Sequence, residues 1–148
     1  MKKLILICLI GLGAYNFFEQ YPQVIRFISP TFASENSASD KLLENAYKNR
    51  QSDLQTGGTG HVLRILSDDL KGSRHQRFIL KLSTGQTLLV AHNIDLAPRI
   101  NNLNIGDQVE FYGEYEWNSK GGVMHWTHHD PRGNHEDGWL IHNGRIYK

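Results

Sequence analysis

The chain has 148 residues, of which 39% are hydrophobic and 21% charged, and sixteen Lys/Arg against fifteen Asp/Glu leave a formal charge of +1. That is length enough for one domain with a real core, and the balance lacks the basic footprint of a sequence-independent nucleic-acid binder. The single cysteine, Cys8, excludes disulfides within one chain and thiolate metal cages.

Lys2 and Lys3 precede an apolar run from Leu4 to Phe18. This is the charged and hydrophobic beginning of a secretory signal or anchor, assigned to residues 1–28. The run is short against the roughly twenty residues a membrane-spanning helix needs, but Tyr15, Phe17, Phe18 and Tyr21 suit the interface. Lysines ahead of the run place the N-terminus in the cytoplasm. For a bacterial chain, the expectation is a single-pass inner-membrane anchor with a periplasmic C-terminal domain, the membrane being its partner. Cleavage after Thr31-Phe32-Ala33 would instead release a periplasmic or secreted form.

Residues 29–56 read as a linker, small and polar over SPTFASENSAS, that carries an amphipathic helix at 40–53. Leu42, Leu43, Ala46 and Tyr47 form its apolar face, and Ser39 or Asp40 can cap it. Gly57-Gly58-Thr59-Gly60 then breaks the chain, and a domain is expected over 57–148.

From there the period is two. Strands are predicted at 61–66, 76–82, 86–92, 108–117 and 123–128, with a short helix or helical loop at 93–104. In the fourth, Val109, Phe111, Gly113, Tyr115 and Trp117 share one face, and Glu110, Tyr112, Glu114 and Glu116 the other. Three strands, a short helix, then two strands with a central glycine is the order of an OB-fold, a small five-stranded barrel. The expected class is therefore mainly β.

The strings GHVLRILSDD, HQRFILKL, QTLLVAHNIDLAPRI, GDQVEFYGEYEWN and GGVMHWTHHDP, with the Gly138-Trp139 to Tyr147 ending, resemble a bacterial family known as domain of unknown function 3465. The resemblance runs from about Gly60 to Tyr147 and implies a grouping without an activity.

Five of the eight histidines lie in residues 125–142. In an OB barrel strands three and five are parallel neighbours, so His92 and His128 end together, on the parity of Leu88, Val90, Met124 and Trp126. His75 opens onto the same region, and His129, Asp130 and His135 follow on the outgoing loop. Neutral imidazoles with a carboxylate suit Zn²⁺ or another divalent ion, so His92, His128, His129, Asp130 and His135 are the candidate metal ligands. No tight ligand spacing such as H-E-x-x-H is present. Structural hydrogen bonding by the same side chains is the competing account.

Trp126, Tyr112, Arg74 and His75 are candidate contacts for an unknown small ligand, with aromatics supplying stacking surfaces. The expected function is a membrane-tethered, periplasm-facing binding module with a His-rich site at one barrel end. The alternative is a metal-dependent hydrolase, phosphodiester-cleaving or nuclease-like, with catalysis by His92, His128, His129 or Asp130. A histidine-metal nuclease would normally carry its last ligand on a following helix, and the sequence ends five residues after Asn143.

Overall fold

The computed structural model describes residues 38–148, so the expected anchor at 1–28 and the first part of the linker, residues 29–37, lie outside the described residues. A helix, α1, occupies 38–48, starting and ending earlier than the sequence suggests. Arg50 stops it in the left-handed region (φ 55°), with Gln51 N donating to Ala46 O and Arg50 N to Tyr47 O. That is a Schellman cap built without glycine. The Arg50 guanidinium lies over the Trp117 ring at 5.4 Å, a compensating contact.

Seven strands follow: β1 Leu54–Ile65, β2 His75–Lys81, β3 Thr87–Asn93, β4 Gln108–Glu116, β5 Val123–His125, β6 Trp139–His142 and β7 Arg145–Tyr147. β1 pairs with β2, β2 with β3, β3 in parallel with β5, β5 with β4, and β4 back with β1. The ring is a closed five-stranded barrel in OB order, as the sequence predicts. Alternation fills its interior: Phe78 and Leu80 from β2, Leu88 and Val90 from β3, Val109, Phe111 and Tyr115 from β4, and Met124 from β5 are fully buried.

The sequence reading needs correction in four places. Gly57–Gly60 does not break the chain but lies inside β1, so the boundary expected at 57 falls within a barrel strand. A Cβ on Gly57 would stand 2.9 Å from Phe111 O, and one on Gly58 2.8 Å from the Phe111 ring. The glycines are there because β1 lies too close to β4 for side chains. The connection between β3 and β4 makes turns rather than a helix, with one helical turn closed by Ala97 N donating to Asn93 O. The fifth strand stops at His125, three residues early. Finally, β6 and β7 form an unforeseen hairpin on the outer edge of β4.

The barrel's two ends are closed differently. At one end lie α1, the β2–β3 turn and the β4–β5 hairpin. Leu43 and Ala46 of α1 are buried in the core, Trp117 Nε1 donates to Tyr47 O at 3.1 Å, and Asp40 accepts from Ser83 N at 2.9 Å. At the other end the β3–β4 connection folds across the opening. Ile100 is fully buried there, held by the Gln76 amide, which donates to Ile100 O and accepts from Ile100 N, both at 2.8 Å.

Candidate functional site

The histidines gather at this second end because of how β4 is paired. Tyr112 of β4 faces Trp139 of β6, while Glu114 faces His125 of β5. Two strands thus share one edge of β4, and residues 126–138 are an excursion from it. The switch falls at Gly113, where a Cβ would sit 2.4 Å from His125 O. Trp126, at φ 53°, turns the chain out of the sheet.

Backbone groups fix the excursion. The Asp130 carboxylate accepts from Arg132 N, Asn134 N and His135 N at 3.0, 2.7 and 3.0 Å. These N–H groups, Arg132 first, hold it below the usual carboxylate range. Asp137 accepts from Asp130 N at 2.9 Å and pairs with His129 Nδ1 at 2.7 Å, and the His129 bond leads in lowering its pKa. Gly138 N returns the chain through His128 O at 2.9 Å.

The proposed metal set, His92, His128, His129, Asp130 and His135, does not assemble. His92 does point inward, but inward means satisfied. Its Nε2 lies 3.2 Å from Pro98 O, which can only accept, so Nε2 carries the proton and Nδ1 accepts from Thr127 Oγ1 at 2.8 Å. Neither nitrogen is left for an ion. Burial leads in lowering its pKa to about 4, against the Pro98 bond and with the nearby His128 acting in the same direction. Asp130 is committed to the loop backbone, and His129 stands exposed against Asp137.

His135 stacks on Trp126, with centroids 4.0 Å apart and planes 7° apart, and the other neighbour of Trp126 is His128 at 5.4 Å. His135 Nδ1 donates to Glu136 O, and its Nε2 lies 2.7 Å from Glu114 Oε2. Burial opposes protonation of His135, but the Glu114 and Glu136 bonds and the charges of Glu114 and Asp130 outweigh it and raise its pKa.

Of the expected ligand contacts, Tyr112 donates to Glu136 at 2.5 Å and stacks on Trp139, while Arg74 is bound to Asp95 through Nε at 2.6 Å. Both are engaged at the surface. His75 and Trp126 do come together. With Ser73, Ala91, Asn93, Leu96, His125 and His128 they line a cleft of about 290 Å³. His75 Nδ1 donates to Ser73 O and His128 Nδ1 to His129 O, each at 2.8 Å. Each neutral ring therefore keeps a lone pair on Nε2.

Three residues outside the expected set stand beside this cleft. Glu114, Glu116 and His125 bring one potential ligand atom each within 4.8 Å of one another. His125 Nε2 is 3.3 Å from Glu114 Oε1, ion-pair range without hydrogen-bond geometry, and this buried nitrogen has no hydrogen-bond partner among the described residues. Burial leads in lowering the His125 pKa, against the pull of Glu114 and Glu116. The outward alternation of β4 already carried the two glutamates, and a hairpin centred on Ser119-Lys120 would have set Glu114 opposite His125.

A family model described as "Protein of unknown function (DUF3465)" matches residues 25–148, a span that takes in α1 and all seven strands. No curated protein matches the chain.

Proposed function

The chain belongs to the DUF3465 family, and from that premise, which supplies no activity, we propose a ligand-binding module that takes a small, cationic, donor-rich ligand in the His75–His125–His128 cleft. The observation that carries this reading is the polarity of the cleft wall. His75 and His128 both line the cleft and spend their Nδ1 protons on backbone carbonyls, which leaves Nε2 as the uncommitted nitrogen of each ring. Glu114 and Glu116 stand alongside His125. Such a surface accepts protons or positive charge, and it repels phosphate and carboxylate groups. The barrel interior is packed with Phe78, Phe111, Tyr115 and Met124, so the ligand belongs on the surface.

The test is a titration of isotope-labelled full chain with putrescine and, separately, with inorganic phosphate. Putrescine should shift the His75, His125, His128 and Trp126 resonances, and phosphate should leave them in place. The opposite pattern, or no shift with either, overturns the reading.

The module is further proposed to be tethered to the inner membrane by residues 1–28 and to face the periplasm, on the strength of Lys2 and Lys3 ahead of the apolar run. No helix among the described residues is long and apolar enough to cross a membrane, so the tether would reside in that segment. Fractionation with intact mass decides: a soluble form beginning near Ser34 would remove the tether, and a cytosolic domain would reverse the topology.

A further inference from the structure

We propose that Glu114, Glu116 and His125 form a binding site for a divalent first-row metal ion, Zn²⁺ foremost. This goes beyond the cleft reading and shares only His125 with it, since His125 also lines the cleft.

Placement comes first. Glu114 and His125 are directly opposite across the antiparallel β4–β5 pair, and Glu116 is the next outward position on β4. All three stand on barrel strands, and Glu114 is paired on both sides, with Gln55 of β1 and His125 of β5. Sites on such elements keep their geometry better than sites on loops.

Donor chemistry comes second. Two carboxylates and one imidazole form a mixed oxygen–nitrogen set of the kind zinc accepts, with a fourth position left for water or a ligand. Tetrahedral bonds of about 2 Å put ligand atoms roughly 3.3–3.5 Å apart. The three atoms lie within 4.8 Å already, so carboxylate rotations of about an ångström close the set.

Among the described residues no Lys or Arg pairs with Glu114 or Glu116, and the groups facing Glu114 are two imidazoles, His135 Nε2 at 2.7 Å from Oε2 and His125 Nε2 at 3.3 Å from Oε1. His125 Nε2 is shut off from solvent and has no hydrogen bond. A buried imidazole nitrogen with no hydrogen bond, beside two close carboxylates, is an arrangement that a bound cation would satisfy. His135, braced by Glu136 O and the Trp126 ring, would orient Glu114 as a neighbour of the ligand shell.

The experiment uses full chain in detergent, purified without a polyhistidine tag. Bound Zn²⁺ is measured by elemental analysis and its affinity by calorimetry. One ion per chain is expected, with affinity falling more than about tenfold in Glu116→Gln and His125→Ala, a loss at least as large as that for outer-shell partners. His75→Ala and His128→Ala should retain the ion. Co²⁺ added to the unmutated chain gives a readout independent of variant folding: paramagnetic broadening should centre on residues 114–116 and 125.

Absence of bound Zn²⁺ overturns the site, as does Co²⁺ broadening centred elsewhere. Zinc lost in His75→Ala and His128→Ala but kept in Glu116→Gln would move the ion among the cleft imidazoles, refuting this site and sparing the cleft. Zinc bound as proposed, with putrescine ignored, would refute the donor-rich organic ligand and spare the metal site.

Discussion

The barrel is stopped with hydrocarbon at one end and with hydrogen bonds at the other. At the α1 end, Leu43 and Ala46 enter the core and Trp117 packs against it. At the opposite end, His92, Gln76 and Thr127 are as buried as any leucine, at 0–1% exposure, and each is tied to a polar partner. The apolar stopper is tolerant of chemistry and sensitive to volume. The polar stopper is the reverse, because an unmatched buried donor or acceptor forfeits its hydration with nothing in return. The cleft of His75, His125 and His128 stands at the polar end, where the same segments that close the barrel also present side chains outward.

The difference can be broken by substitution, beginning at the apolar end. Leu43→Ala leaves a cavity under α1 and should destabilise by about 4 kcal/mol, lowering Tm by roughly 10–20 °C in a thermal melt. A loss under ~1 kcal/mol would mean that α1 merely rests on the barrel.

Acid should act on the polar end. His92 is neutral in the folded protein, with its pKa lowered to about 4, against 6.5 for a free imidazole. Between those values the unfolded chain binds a proton that the folded one refuses. Stability is therefore full above about pH 6.5 and falls as pH drops towards 4, on the order of 3 kcal/mol from this group. Urea midpoints at pH 7 and pH 4.5 measure it. His92→Gln, which can still meet Thr127 and Pro98, should flatten the dependence while Leu43→Ala leaves its slope unchanged.

The smallest expected effect sharpens the contrast. Gln76→Leu conserves volume but orphans the N–H and C=O of Ile100, and should destabilise by about 2 kcal/mol in chemical denaturation. An unchanged midpoint would show that volume governs both ends alike.

Much of the barrel was legible because alternation is a local property. Phe78 and Leu80, Leu88 and Val90, and Val109, Phe111 and Tyr115 declare their strands without knowledge of partners. Gly57 to Gly60 misled because glycine in a strand looks like punctuation until its neighbours are known, Phe111 for Gly57 and Gly58 and Leu80 for Gly60. The β6–β7 hairpin was missed because each strand is three or four residues long.

The site was half legible for a related reason. Inward parity correctly buried His92, but burial satisfied it within the fold and withdrew it from use. The informative parity was the outward one, Glu114, Glu116 and His125, whose meeting depends on β4–β5 register rather than on sequence distance. His128 to His135 looked like a ligand series, whereas Asp130 and Asp137 tie that loop to itself.

The ring is thinnest around β5, where the β3–β5 seam has two pairings and the β4–β5 seam three. β3 and β5 share only the Leu89–Val123 and Val90–Met124 pairings, while β2 and β3 run together over their full length. A closed ring in thermal motion parts first along its shortest ladder, because fewest hydrogen bonds must break together there. Amide exchange should accordingly be fastest, among the five barrel ladders, at β5. Since β5 ends in His125 and leads directly into Trp126, breathing along this seam would move the cleft wall without unfolding the barrel. Whatever occupies the cleft would then act as a clasp, and its binding would be visible as slowed exchange at Val123 and Met124.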